Sequence, residues 1–318
     1  MFSHEEIRTG QGTLQYRRDT VTGISCRISS ERIKRGIDQI PAVTYIPEGC
    51  PFCPGRVEQV TPTFADGSRI IHGESVTFPN LFPFAAWHTV TVITREHAVE
   101  RFTRQQLVDA LTGQVESLLP HQGYASINWN FLPSSGASLA HPHLQGMVDR
   151  YPSARVRCYL EGAGKYQEEW GRPYWTDFRE HERDSDRYLF GDDILWVANA
   201  VPVGEREVLG VLPGATLGEF AAVIPRCADG ILAVIDLYRS LGTYAFNMSL
   251  FFDARQGSDF SAFCSMIARI NPNAASLSDS SFMERLHIEP LILTSPEELA
   301  AQYRKGYGGI FHPTTISH

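Results

Sequence analysis

No stretch of this sequence approaches the roughly 18 uninterrupted apolar residues of a membrane-spanning helix, and its opening, MFSHEEIRTGQG, has no apolar segment of the secretory kind. Basic runs are equally scarce. With 28 Lys and Arg against 36 Asp and Glu, a net charge of −8, the chain lacks the basic patch of a nucleic-acid surface. A disulfide framework is missing too: of six cysteines, at 26, 50, 53, 158, 227 and 264, only Cys50 and Cys53 lie close together. Reduced thiols are expected, with one pair free for a metal. These absences point to a cytoplasmic protein with neither membrane nor nucleic acid as a partner. What is present is a 318-residue chain, 43% hydrophobic and 20% charged, able to bury a sizeable core.

Laid on itself at an offset of about 120 residues, the chain repeats. SVTFPNLFP (75–83) falls on LWVANAVPV (195–203), and HTVTVIT (88–94) falls on EVLGVLP (207–213), as pairs of strands. Each half then opens a helix with a capping box, Thr103 with Gln106 and Thr216 with Glu219. YASINWNF (124–131) falls on YAFNMSLF (244–251), and HPHLQGMV lies near FCSMIARI (263–270). The pattern predicts two strand, strand, helix, strand, strand units. EHAVERF (96–102) reads as an insert of the first unit, and only the first unit carries a histidine pair.

That pair, His141 and His143, stands in SGASLAHPHLQGMV (135–148). Alternate residues of a strand share a face, so the two imidazoles point the same way, about 7 Å apart. Pro142 between them favours a strand start or edge. They suit one shared metal, an acid/base pair, or a ligand beside a nucleophile. Gly136 and Ser138 ahead of them allow backbone and hydroxyl donors to approach a phosphate, and Gln145 offers an amide on the same face. Phosphoryl transfer needs a positioned nucleophile and such donors.

EGCPFCPG (48–55) contains a CxxC pair, half of a tetrahedral zinc site, for which His97 and His141 are candidate partners. A redox dithiol is the alternative. Arg32 and Arg35, three residues apart, suit a phosphate or simply a solvated basic face.

Together and in order, these segments resemble the galactose-1-phosphate uridylyltransferase family of the histidine-triad superfamily. RDTVTGISCRISSERIKR (18–35) is similar to its D-x-x-T-G…R-x-x-R segment, CPFCPG to its zinc knuckle and FPNLFPF to the strand lining its nucleoside pocket. GASLAHPHLQ is similar to its active-site signature, and SPEELA (295–300) is a further match. The resemblance implies an α+β fold: two histidine-triad-like repeats with antiparallel sheets flanked by helices. It places the first half at 1–150, a connecting segment of one helix and loops at 151–190, and the second half at 191–318.

It further implies one structural zinc per chain, on Cys50, Cys53, His97 and His141. His143 would be the nucleophile toward the α-phosphorus of a nucleoside diphosphate compound, with Ser138 and Gln145 on the phosphate. Asn80, Asn130 and Gly136 would bind the nucleotide, and Arg32 and Arg35 the phosphate of a phosphorylated small-molecule acceptor. A homodimer with shared active sites is expected. Where the family has an aspartate after the asparagine of the nucleoside strand, this chain has Leu81. The counterpart of the hexose-binding loop, SFMERLHIEP (281–290), brings Phe282, Arg285 and His287, implying an acceptor other than galactose 1-phosphate. A hydrolase using the same intermediate and a non-catalytic nucleotide-binding protein are the competing readings.

Overall fold

The computed structural model describes residues 1–9, 12–35, 49–270 and 278–307, with the side chains of 9, 33–35 and 307 excepted. The chain opens with the hairpin β1 (Phe2–Thr9) and β2 (Gly12–Asp19), then β3 (Ser25–Ile28). The first unit comprises α1 (Val57–Val60), β4 (Ile70–His72), β5 (Ser75–Pro79), β6 (Trp87–Val92), α2 (Arg104–Leu118), β7 (Tyr124–Phe131) and β8 (His143–Asp149). Two helices, α3 (Ala154–Trp170) and α4 (Tyr174–Arg183), lead to the second. That unit holds β9 (Tyr188–Phe190), β10 (Leu195–Ala198), β11 (Val208–Val211), α5 (Leu217–Phe220), α6 (Ile224–Ser240), β12 (Phe246–Phe251) and β13 (Phe263–Ala268). β14 (Leu291–Ile292) and α7 (Pro296–Tyr307) close the chain. No helix among the described residues is long and apolar enough to cross a membrane.

The two units form one continuous antiparallel sheet in the order β4-β5-β6-β8-β7-β12-β13-β11-β10-β9. They meet edge to edge where β7 pairs with β12, Ile127 opposite Leu250 and Asn130 opposite Asn247. Alternation sorts this seam into two faces. Ile127, Trp129, Phe131, Phe246 and Met248 turn into the main core with α2 and α6, and Asn128, Asn130, Asn247 and Ser249 turn the other way.

The repeat is real in three dimensions but its register differs from a uniform 120. β8 maps onto β13 at 120 and β7 onto β12 at 121, whereas the pairings Val76–Val92 and Leu195–Val211 put β5 and β6 at 119 from β10 and β11. The first strand pair of the sequence alignment, and the match of YASINWNF with YAFNMSLF, are therefore each corrected by one residue. One residue of the difference is absorbed between strand and helix. Residues 93–103 bridge β6 to α2, and 212–223 bridge β11 to α6. EHAVERF is thus no insert, since its counterpart holds α5. The Thr216 capping box forms, but it caps this four-residue helix, whereas α6 begins after Val223 without a side-chain cap.

A second sheet, unforeseen from the sequence, orders β1-β2-β3-β14, with β14 parallel to β3, so among the described residues the expectation of antiparallel sheets holds for all but this one pair. It is pinned by Arg17, whose guanidinium donates to both carboxylate oxygens of Glu297 on α7 at 3.0 and 2.9 Å. Where 151–190 suggests one helix, there are two. α4 starts after Pro173, whose fixed φ suits a helix N-terminus. Tyr159, Tyr174, Trp175 and Phe178 from this pair cover one face of the second unit, packing on Leu195, Val197, Leu209, Val211 and Phe263. The matching face of the first unit is lined instead by a smaller cluster, Val57, Val76, Phe78, Val90 and Val92, with Phe52 against it.

Candidate metal centre and active site

The loop carrying Cys50 and Cys53 folds back over this smaller cluster and meets the segment preceding β8. Ligand atoms of Cys50, Cys53, His97 and His141 all lie within 4.8 Å of one another. His141 Nδ1 is 3.8 Å from Cys50 Sγ and 3.7 Å from Cys53 Sγ, and His97 Nδ1 is 3.6 Å from Cys53 Sγ. Zinc bonds of about 2.3 Å to sulfur and 2.0 to 2.1 Å to nitrogen, at tetrahedral angles, put S and N roughly 3.6 Å apart. The donor set fits. His141 Nε2–H donates to the Thr94 carbonyl at 2.8 Å, which leaves the Nδ1 lone pair facing the sulfurs. Burial pushes His141 down to about 4, so the ring is neutral as a ligand must be. Burial, and then the adjacent Cys50, push the Cys53 thiol up, the situation a divalent cation relieves.

His143 is the first residue of β8, directly after Pro142, whose carbonyl accepts from Ile93 N–H at 3.1 Å. Its Nδ1–H donates to the His141 carbonyl at 2.8 Å, so Nε2 carries the free lone pair. The ring packs against Phe52, with centroids 5.3 Å apart, and Phe52 also meets the His141 ring at 6.2 Å. Burial lowers the basicity of His143, against the bond to His141.

Opposite Val90 and on the same face, Gln145 places its Oε1 3.0 Å from His88 Nε2. Its backbone carbonyl accepts from Asn128 Nδ2 at 3.3 Å, and Asn128 Oδ1 accepts from Ser249 at 2.8 Å. Asn130 Oδ1 accepts from Asn247 Nδ2, which also donates to the Ser135 carbonyl; Arg269 in turn donates to Asn247 Oδ1 and pairs with Asp279. A polar chain thus runs from the second unit to the rim of the first. It steadies the turn Pro133–Ser135, which Gly136 ends at φ 90°, a conformation natural to glycine. Ser138, in the stretch between that turn and β8, is exposed.

Asn80 ends β5's run. Its N–H donates to the His88 carbonyl at 2.8 Å, its Oδ1 accepts from Phe82 N–H at 2.9 Å, and its Nδ2 lies 3.1 Å from His88 Nε2. His88 is absent from the sequence-derived site, although it is buried at its centre. The signal for it is an asparagine eight residues before His88 and another eight residues before Glu207, aligned only at an offset of 119.

Arg32 is exposed on a 3₁₀ turn, Ser30–Arg35, one turn before Arg35, whose side chain lies outside the described residues. Phe282, Arg285 and His287 are exposed on a short π-helical turn around Met283–His287, where the Phe282 and His287 rings pack at 5.6 Å. Glu289 ties that turn to β3 through Arg27 and Ser25. Among the described residues, no hydrogen bond, ion pair or ring contact joins Arg32 or this turn to His143. The metal cluster, His143, Gln145 and the asparagines form one group, and the residues assigned to the acceptor lie elsewhere on the chain.

No family model matches the chain. A crystal structure of an ADP-glucose phosphorylase from Arabidopsis thaliana with bound ADP-glucose superposes with a TM-score of 0.74 at 17% identity, covering 92% of this chain and 99% of that one. A uridylyltransferase structure superposes with a TM-score of 0.69, at 17% identity over 93% and 99% of the two chains. The fold is that of the uridylyltransferases. This α+β fold extends over nearly the whole of both solved chains. In sequence, an uncharacterized protein from Archaeoglobus fulgidus is 29% identical over 266 residues, 80% of this chain and 81% of its own.

Proposed function

We propose that the protein is a nucleotidyltransferase or phosphorylase of the uridylyltransferase type, working through a covalent nucleotidyl-His143 intermediate. The observation that carries this reading is the His143 ring itself. Its Nδ1–H is committed to the His141 carbonyl, and Nε2 is the one ring nitrogen left to attack, on the face that also presents Gln145. In the first half-reaction Nε2 attacks the α-phosphorus of a nucleoside diphosphate compound. The N–P bond forms as the bond to the bridging oxygen breaks, and the remainder leaves as a phosphomonoester. Positive charge developing on the ring is eased by the strengthening Nδ1–H bond to the His141 carbonyl, and the Gln145 amide and Ser138 hydroxyl donate to the non-bridging oxygens. An oxygen of the acceptor phosphate then attacks phosphorus, and His143 leaves neutral.

Cys50, Cys53, His97 and His141 would hold one zinc in a structural role, with four protein donors and none left for substrate, and a metal-fixed His141 would hold the carbonyl that orients His143. Phe52, Phe78 and Val90 line the side on which a base would pack, with Asn80, Asn130 and Gly136 toward its ribose and phosphates. Arg32, Arg35 and the turn bearing Phe282, Arg285 and His287 receive the acceptor across a homodimer, supplied to each His143 by the partner subunit. The acceptor is a phosphate-bearing small molecule.

The deciding experiment is intact mass of the zinc-loaded protein after incubation, without acceptor, with nucleoside diphosphate sugars (ADP-glucose and UDP-sugars among them) and dinucleoside polyphosphates. A gain of one nucleoside monophosphate, labile to acid and absent in His143→Ala with fold and metal retained, is expected. An adduct of equal yield in His143→Ala would overturn the assignment. Free nucleoside monophosphate without acceptor would mark a hydrolase.

A further inference from the structure

Gln145 faces a choice that its own side chain does not resolve. Only the amide nitrogen of a glutamine helps a phosphate; rotated by half a turn, the same group presents its oxygen to the anion. We propose that His88 is the positioning residue that sets this choice, its Nε2–H holding Gln145 Oε1 so that the Gln145 amide N–H groups are turned to the phosphate bound at His143. The inference rests on the nucleotidyl-transfer reading for its kinetic consequences, and on geometry alone for the hydrogen bond.

Three observations support it. First, the Phe84 backbone N–H lies 3.4 Å from His88 Nδ1; a backbone donor makes Nδ1 an acceptor, so the proton of a neutral ring sits on Nε2, 3.0 Å from Gln145 Oε1. Second, His88 is buried, and burial holds it below the usual histidine range against the Gln145 bond and Asp149, so the ring has one N–H to give.

Third, the second unit keeps the same frame with reversed polarity. Asn199 N–H donates to the Glu207 carbonyl at 2.9 Å as Asn80 N–H does to that of His88 at 2.8 Å. Glu207 then meets Ser265, the counterpart of Gln145, at 2.6 Å, here as the acceptor. The counterpart of His143 is Phe263. Arg155 lies 5.4 Å over its ring and donates to both Ser265 and Glu207. An acceptor at position 207 thus goes with a site filled by the chain's own guanidinium. A donor at position 88 goes with a site whose outward-facing group must itself be a donor, as an incoming anion requires.

The test uses the full-length zinc-loaded protein. Nitrogen-15 shifts of labelled His88 report its tautomer. A neutral Nε2–H ring, with that proton showing a cross-relaxation contact to Gln145, is expected. An Nδ1–H ring, with Nε2 accepting from Asn80 Nδ2, overturns the proposal whether or not the protein turns over. For kinetics, the rate of nucleotidyl-His143 formation is measured in three variants. His88→Gln, whose Nε2 reaches the same place, should stay within a few-fold of wild type. His88→Ala should fall roughly ten- to a hundred-fold, and His88→Glu, which forces the amide to flip, further still. In a Gln145→Ala background the Ala and Glu substitutions should add nothing. Equal losses in all three variants, or undiminished losses without Gln145, would assign His88 a merely structural part. A wild type that forms no adduct with any donor refutes the transfer reading instead, and the tautomer still decides the hydrogen bond.

Discussion

Between Gln145 and Met147, Gly146 turns to the opposite face of β8, toward α2, and there is no room beside it. A Cβ built on Gly146 falls 1.8 Å from Gln114 Oε1, 2.9 Å from its Cδ and 3.0 Å from Leu118 Cδ1. Gln114 is fully buried and cannot swing aside freely, because Thr89 donates to its Oε1 at 3.0 Å and its Nε2 donates to Thr91 at 2.8 Å. Gly146→Ala must break or distort both bonds, at about 1 kcal/mol each, and overpack the helix–sheet contact at about 1 to 3 kcal/mol. A loss of about 3 to 5 kcal/mol is expected in urea unfolding followed by tryptophan fluorescence. Gln114→Ala alone leaves Thr89 bonded to Ser117 and Thr91 to Thr77, and should cost about 2 kcal/mol. Because that truncation vacates the space the new methyl needs, the double variant should be no less stable than Gly146→Ala. A Gly146→Ala protein within 0.5 kcal/mol of wild type, or two losses that simply add, would refute this packing argument.

Zinc content, measured on Cys50→Ser, should fall well below one equivalent per chain and the melting midpoint should drop with it, since a lost thiolate opens the knuckle; full zinc occupancy would remove Cys50 from the ligand set. Glu207→Ala should cost about 3 to 5 kcal/mol by leaving the buried Arg155 charge without its carboxylate, and a melting curve matching wild type would contradict that pairing. The bond from Arg27, and then that from Ser25, hold Glu289 below its ordinary value of 4.5 against partial desolvation. Its folded value lies below its unfolded one, so the stabilisation is present above the unfolded value and disappears as pH falls through the folded one. The gap in melting midpoint between wild type and Glu289→Gln should therefore close below about pH 4.5; parallel curves from pH 6 to pH 3 would count against the pair.

Much of the centre was legible because its chemistry draws on few residue types. The spacing of Cys50 and Cys53 marked half of a metal site, the family resemblance completed it with the candidates His97 and His141, and the structure brings all four together. The period of two in a strand put His143 and Gln145 on one face with His141, and the division of that face into ligand and nucleophile came from the family resemblance. His88 was not legible, for a specific reason: a one-residue slip between the repeats exchanges faces, so at a uniform offset Asn80 lies over Ala200 and its match with Asn199 is hidden. The sheet containing β14 escaped because its partner, β3, comes from the other end of the chain and a two-residue strand leaves no pattern of its own. α4 escaped because its apolar face, Tyr174, Trp175 and Phe178, sits among so many charges that the segment reads as a polar connection.

The seam at β7 and β12 has a consequence for how such a molecule is free to change. Were each unit a separate chain, joining two copies along that edge would require identical surfaces related by a two-fold axis, and every substitution would occur twice. Carried on one chain, the two edges meet at any protein concentration, and each side can vary alone. Asn247 can serve the turn ahead of Gly136 while its opposite number, Asn130, faces the site, and Phe263 can stand where His143 stands in the other copy. An open edge is also what either half would expose by itself. A fragment ending before α3 would present β7 unpaired, with Trp129 and Phe131 uncovered, and would associate through it.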